Sequence, residues 1–437
     1  PILRSIAAMG VTRWSRELGE ALRKSLRTLV DKLRRTQLQQ GRRAFQTWIR
    51  DSIQKGAGAL HRMTNTWGMQ QQELSEETNV AGEQVVDPLE VISSKSSRWA
   101  SLWECTCTPL EASWWEDLRA KARQQEQDPI DEEQIMEALK CFKGVIGVGA
   151  DATNPRWWRA LPSGAGQALA ELLNAVESGL SWPTAALLTI VQLLPKDAAG
   201  DRPITLTQGL YRLWGRVRKC RVREWTAQRA GFWDKAVAGS APLRAALIRQ
   251  IKLESASALG FSWAEALWDL TKFYDHVRLP HVASVGLALD YPVTNLLLGL
   301  QMSAAPRRVR ADRCVSELLF PARSLAAGCP QAVDFSRLAL WEVLEAAHEK
   351  FKPLDLSTWV DDLGHEEVGT EAHVETRMVA VSLDVVGGLR RRGFVMSAKS
   401  ILRASTRSLG ARIVATLKRA GIDIQLAATA RDLGVDA

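Results

Sequence analysis

The clearest periodicity lies near the start of the chain. Leu18, Leu22, Leu26, Leu29 and Leu33 recur at three- and four-residue spacing while Arg23, Lys24, Arg27, Arg34 and Arg35 fill other faces, which predicts an amphipathic helix over residues 11–55. From Met69 to Ser97 the pattern dissolves. Gln70, Gln71, Gln72, Glu73, Glu76, Glu77, Pro88 and the serines Ser93, Ser94, Ser96 and Ser97 carry no regular apolar spacing and read as a linker. Helical patterning returns between Trp99 and Lys140, with Trp103, Trp114, Trp115 and Leu118 at apolar positions and Asp128-Pro129 as a helix start. Gly144, Gly147, Gly149 and Pro155 then predict a loop, Ala165 to Val176 a helix and Leu187 to Leu194 a short strand. Helix and strand patterns alternate beyond that point without a repeating period, so the expected fold class is α+β.

Composition narrows the classes. With 437 residues, 46% of them hydrophobic and 24% charged, the chain has the makings of a globular core and is neither wholly disordered nor collagen-like. The longest nearly apolar stretch, Pro183 to Pro195, contains Thr184, Thr189 and Gln192 and falls short of the ~18 apolar residues of a membrane span, so no membrane partner is expected. Six scattered cysteines without a repeated Cys-x-x-Cys point to reduced thiols rather than disulfides or zinc, and the opening residues lack the apolar core of a signal peptide. The expected compartment is cytoplasm, nucleus or both. Residues 1–60 hold thirteen Lys and Arg against four acids, a net of +9, so this segment carries the whole +8 excess of the chain and suits a polyanionic partner.

Three carboxylates attract attention. Asp269 ends an apolar run in Ala266-Leu-Trp-Asp-Leu-Thr-Lys-Phe-Tyr-Asp-His-Val277, and Asp361 and Asp362 stand together in Ser357-Thr-Trp-Val-Asp-Asp-Leu-Gly364. Adjacent aspartates are commonly solvated turn residues. Flanked by Trp359, Val360 and Leu363, however, two like charges call for a cation, and hard ions such as Mg2+ take carboxylate and phosphate oxygens together. Three such groups from separate segments suit two metals roughly 3.5 to 4 Å apart in phosphoryl transfer.

Further segments follow in order. Leu193-Leu194-Pro195-Lys196, Asp201-Arg202-Pro203-Ile204-Thr205-Leu206 and Tyr211-Arg212-Leu213-Trp214 together resemble the fingers of reverse transcriptases of the non-LTR (LINE-like) retrotransposon group. Asp269 to Val277 resembles their first catalytic segment, Gly328-Cys329-Pro330-Gln331 with Ser336 and Leu338 the entry to the template-and-nucleotide helix, and Trp359-Val360-Asp361-Asp362 the aromatic-x-Asp-Asp hairpin. Gly393 to Ser400 is similar to the next segment with its lysine, and Arg431 to Asp436 to the start of the primer-grip hairpin. Gly144 to Pro162, with Gly147, Gly149 and Asp151, resembles the stretch that precedes the fingers. The likeness spans roughly residues 130–437.

The resemblance implies a right-hand polymerase palm and fingers with a helical N-terminal extension: a basic extension over 1–68, a linker over 69–98, and a body over 99–437 with fingers mainly at 130–255 and palm mainly at 256–437. It implies RNA-directed DNA synthesis from dNTPs on a primer 3′-hydroxyl, with an RNA template, a DNA primer and two Mg2+ ions, Mn2+ being a substitute; no protein partner is implied. Asp269, Asp361 and Asp362 become the metal ligands, with the Leu270 carbonyl as an extra one. Lys196 and Arg202 would pair with the triphosphate, Tyr274 would lie beneath the sugar, Gln331 against the nucleotide and Lys399 near the leaving pyrophosphate. Ala332 departs from the Gly usual in the family, and Trp359 from the usual Tyr or Phe. No thumb or endonuclease segment is recognised, so the expectation is a fragment, the alternative being an inactive nucleic-acid-binding remnant of such an element. The many tryptophans are expected in the core rather than as base-stacking platforms.

Overall fold

The leucine-spaced segment does form a helix: α1 spans Arg16–Gln54, close to the expected 11–55. The computed structural model describes residues 16–54, 77–78, 84–106, 113–162, 164–196, 200–311, 314–429, 431–432 and 435–436. On α1 the cations Lys24, Arg27, Lys32, Arg35, Arg42, Arg43 and Arg50 are exposed, whereas the leucine side chains expected to form its stripe lie outside the described set. The chain divides into two units, Pro1–Glu73, which holds α1, and Leu74–Ala437. No described helix is long and apolar enough to cross a membrane.

The second unit opens on the short strands β1 (Glu77–Thr78) and β2 (Gln84–Val85), followed by α2 (Pro88–Leu102). This helix corrects the linker expected through residue 98. Asp87 caps it, its carboxylate accepting from the N–H groups of Leu89 and Glu90 at 2.8 and 3.2 Å, and Pro88 occupies the first turn. Val91, Ile92 and Trp99 are buried together with Ser94 and Ser96. Small polar residues that look like linker composition here let the helix approach what lies beneath. The helices α3 (Ser113–Arg123), α4 (Glu132–Lys140) and α5 (Ala165–Gly179) come next. Asp131, three residues after the expected Asp128 start, caps α4 through a capping box with Gln134.

The strands β3 (Thr189–Lys196) and β4 (Gly200–Leu206) then precede α6 (Gly209–Val217), α7 (Lys219–Arg229) and α8 (Pro242–Ala258). After β5 (Ser262–Trp268) and the single turn α9 (Phe273–His276) come α10 (Leu279–Ala288) and α11 (Val293–Ser303). The remainder comprises β6 (Arg307–Ala311), β7 (Cys314–Val315), α12 (Ala332–Lys350), β8 (Asp355–Trp359), β9 (Asp362–Gly369), α13 (Glu371–Arg391), β10 (Ile401–Ala404), α14 (Arg407–Arg419) and β11 (Gln425–Leu426). Last, β12 (Arg431–Asp432) and β13 (Val435–Asp436) pair antiparallel, as the expected hairpin requires.

Two mixed sheets organise this α+β unit. One has the order β11-β10-β5-β9-β8, the other β4-β3-β6-β7. In the five-stranded sheet the period-two alternation of β5 separates two unlike faces. Ala264, Ala266 and Trp268, with Leu363, His365 and Leu402 beside them, are buried among the helices α10 and α12–α14. The other face carries a row of charge: Arg403 pairs with Glu265 in register, Glu265 with Glu366, and Glu366 with Asp355. Arg249 and Lys252 of α8 cover this row, Arg249 lying 3.8 Å from Glu265 and 3.5 Å from Glu366. A Cβ at Gly364 would collide with the Arg249 guanidinium, so a side chain there would push that cation off the charge row. Two smaller cores complete the unit. Trp182, Tyr211 and Trp214 meet edge-on or tilted among α4–α6, and Trp99 and Trp103 close α2 over β3 and β6. Most described tryptophans are therefore core residues, as expected.

Burial pushes Glu366 up to about 7, with Lys252 and Arg249 opposing the rise and Glu265 adding to it. A carboxyl raised on folding contributes stability that is fully present below its unfolded value, 4.5, and is lost as pH rises through about 7. Glu366→Gln cannot ionise, so its denaturation free energy should fall less steeply than the wild type's across that window. Equal slopes by urea titration would refute the assignment.

Candidate active site

The end of the five-stranded sheet brings the backbone positions of the three aspartates together. Trp268 pairs with Leu363, and the same register carried one residue further sets Asp269 beside Asp362. Because Trp359 pairs with Asp362, β8 and β9 are joined by a two-residue turn of Val360 and Asp361. Val360 has φ 65°, a left-handed conformation that costs a β-branched residue steric strain and that hairpins normally assign to glycine. Strain is thus stored at the residue before Asp361. Asp269 and Asp361 are half-buried and Asp362 is exposed.

The segment after Asp269 is held by the one that resembles the lysine-bearing motif. The Asp269 carbonyl accepts from the Ser397 N–H at 2.8 Å, the Asp269 N–H donates to Ser400 Oγ at 3.2 Å, and Thr271 N–H donates to Val395 O at 2.8 Å. Leu270 bridges to Met396 between these bonds. Since Asp269 and Thr271 use their groups on that side, the Leu270 peptide faces the opposite edge, toward β9. Lys399 is exposed on the clamped segment, its N–H donating to Ser397 Oγ at 3.1 Å.

Tyr274 sits where two apolar cores meet. Burial raises its phenol above the usual range, with Ser336 and Arg337 opposing the rise and Asp361 adding to it. Arg337, which sequence reasoning passed over although it lies between Ser336 and Leu338, is half-buried in contact with Asp234, Asp334 and the Ala236 carbonyl. Burial lifts Asp334 to about 6 despite Arg337 and Lys219. The segment holding Asp234 also runs beside β8: Lys235 N–H donates to Thr358 O at 2.9 Å and Thr358 N–H to Trp233 O at 2.7 Å. Nothing in the sequence marks it as a sheet edge.

The fingers-like segments lock onto the helix entry. Gly328, with φ 100°, has room for no side chain, because a Cβ would stand 2.9 Å from the Thr205 carbonyl of β4. Cys329 Sγ lies 2.8 Å from the Tyr211 hydroxyl, and a Cβ at Gly215 would stand 3.2 Å from Pro330. Upstream, Asp151 accepts from the Gly209 N–H at 2.7 Å and so caps α6. Arg202 is exposed on β4 opposite Leu194, and Lys196 pairs with Gly200, its side chain lying outside the described set.

Gln331, expected against the nucleotide, is turned inward at 3% exposure, and a Cβ at Gly299 would collide with its Oε1. Neither its amide oxygen nor its nitrogen has a hydrogen-bond partner among the described residues. Gly299 on α11 leaves the slot the side chain enters, which a reading of the 328–331 segment alone does not reveal. His365, beside Asp362 in sequence, faces away: it is fully buried against Trp268, and burial lowers it to about 4.

Among the described residues no group of three or more His, Cys, Asp or Glu side chains is gathered tightly enough to hold a metal ion. The donor chemistry still fits a hard divalent cation, since neighbouring backbone positions offer only oxygen ligands, two of them partly screened from water. No protein-family model matches the chain, and neither does any curated protein.

The orphaned amide yields a direct test. Gln331→Met preserves volume and removes two buried, unpaired polar atoms, so the denaturation free energy should rise by about 1–2 kcal/mol. A fall would mean that the amide is satisfied in solution.

Proposed function

We propose that this chain is an RNA-directed DNA polymerase of the non-LTR retrotransposon type, extending a DNA primer on an RNA template with dNTPs. The observation that supports this most is the register that sets Asp269 beside the Asp361–Asp362 turn at one sheet end, with Tyr274 within electrostatic reach. In this reading the five-stranded sheet is the palm and the four-stranded sheet with α4–α7 the fingers. Asp269, Asp361 and Asp362 hold two Mg2+ ions, or Mn2+ in their place, with the Leu270 carbonyl as a further ligand. When bound, such ions neutralise charge on the phosphoryl oxygens and lower the pKa of the attacking hydroxyl. The protein's own part is positioning: Ser397 and Ser400 fix the Asp269 backbone, and packing against two apolar cores holds the Tyr274 ring. Lys196 and Arg202 pair with the triphosphate, and Lys399 stands by the leaving pyrophosphate. The exposed cations of α1 supply sequence-independent attraction to phosphate.

A second reading, a nucleic-acid-binding remnant without catalysis, is favoured by two observations: among the described residues the carboxylates form no group tight enough to hold a metal ion, and Gln331 is turned into the interior against Gly299. Asp361→Asn separates the two. In a polymerase it should abolish primer extension and reduce the rise in Tm produced by Mg2+. A wild-type chain without extension or Mg2+ response would leave the remnant.

Tyr274 offers a finer test. A ring beneath the sugar leaves no room for a 2′-hydroxyl, so Tyr274→Val should raise ribonucleotide incorporation much more than it lowers deoxyribonucleotide incorporation. A cavity at the seam would lower Tm in either reading. Only the ratio of the two kcat/KM values decides, and an unchanged ratio makes Tyr274 a packing residue alone.

A further inference from the structure

The helix α8 has two faces that a solvated helix should not have. Ala246, Arg249, Leu253 and Ala256 point inward onto the charged side of the five-stranded sheet. The outward face should then be polar. Instead Leu243, Leu247, Ile248 and Ile251 are 60%, 50%, 58% and 54% exposed, and Leu259 and Phe261 just past the helix are 74% and 51% exposed. Their spacing places the four helical residues on one stripe. With the two that follow, the exposed apolar surface is on the order of several hundred Å², the size at which a contiguous patch marks a binding surface.

The charges on that stripe identify the occupant. Arg244 lies near the start of α8 and Glu254 near its end, both exposed on the apolar side of the wheel. We propose that the stripe is a self-association surface on which two copies of this chain pair α8 antiparallel about a two-fold axis at the level of Arg249. That axis brings Leu247 of one copy against Ile251 of its partner, and in the same register Arg244 against Glu254, with every contact made twice. Parallel pairing would set Arg244 against Arg244 and Glu254 against Glu254, so the charges select the antiparallel arrangement. The acid is already oriented for this role: Gln250 Nε2 donates to Glu254 at 2.9 Å, and the Gln250 Oε1 accepts from Arg403 at 3.0 Å. Arg403 belongs to the buried charge row, so the rigid sheet sets the position of the interface carboxylate.

Sedimentation equilibrium of the full chain over a wide concentration range should show a reversible monomer–dimer equilibrium. Ile251→Asp should make the chain monomeric at an unchanged Tm, since the side chain is more than half exposed. Arg244→Glu and Glu254→Arg should each weaken the dimer about tenfold or more, and the double reversal should restore it, because the pair is rebuilt with its polarity exchanged. A chain that stays monomeric at every concentration overturns the proposal and leaves the stripe to a different occupant. So does a dimer whose affinity is unaffected by Ile251→Asp, or a double reversal weaker than both single variants.

Discussion

A buried arginine ties the second unit together. Arg307 of β6 is 1% exposed, donates to Ser324 Oγ at 3.0 Å and to the Ser303 carbonyl at 2.7 Å, and lies 4.7 Å from the Trp103 ring centroid. Trp103 Nε1 donates in turn to Asp275 at 2.7 Å. Burial dominates both ionisable members, pushing Asp275 up and Arg307 down to about 10, and their mutual attraction offsets part of each shift. Removing one member of such a buried set typically costs about 3–5 kcal/mol because the other charge is left uncompensated. The consequence is geometric as well. Asp275 follows Tyr274, so this cluster joins the four-stranded sheet, the N-terminal helix α2 of the body and the segment leaving β5 through a single point.

From that point the candidate site is assembled by register rather than by loops. β5 and β9 fix Asp269 and Asp362 through a ladder of seven paired residues, and the 395–400 segment locks the peptide after Asp269 from the other side. One element is under strain, the Val360 turn. A left-handed valine beside two carboxylates conflicts with local propensity, and such conflicts persist where surrounding structure over-determines them. Here the hairpin pairs on one side and Asp234, Lys235 and Thr358 on the other do so.

Much of this was legible in the sequence, and the failures have specific causes. The α+β class, the helix expected at 165–176 and found at 165–179, the strand expected at 187–194 and found at 189–196, and the Asp361–Asp362 turn follow from periodicity and from the cost of adjacent charges. Helix α2 was missed because its serines mimic a linker, while its cap, Asp87, and its buried Val91 and Ile92 are visible only as a pattern of a few residues. The burial of Gln331 was not legible because the slot it enters is set by Gly299, thirty-two residues away in sequence. Arg337 and Asp234 escaped for the same reason: each is an ordinary charged residue until the fold buries it beside the other. Sequence spacing reports which residues are chemically equipped for a site, and long-range packing decides which of them face it.

Charge divides the chain in a way that constrains any nucleic-acid role. Residues 1–60 carry a net of +9 while the whole chain carries +8, so residues 61–437 have a net of −1 and as many acids as bases to within one. A body of that charge, with three carboxylates at one sheet end, gains nothing from net attraction to a polyanion. Its hold on a template would have to come from local cations such as Arg202, each exposed and therefore screened by salt over about 8 Å. The basic helix, by contrast, lines up seven exposed described cations on one 39-residue element, and such an element can neutralise several phosphates in succession without reading sequence. In the proposed polymerase, retention on nucleic acid and chemistry at the primer end therefore belong to different units. In that proposal the acidic sheet end would keep the negative charge that metal binding requires, because the positive charge that would capture the polymer is carried elsewhere in the chain.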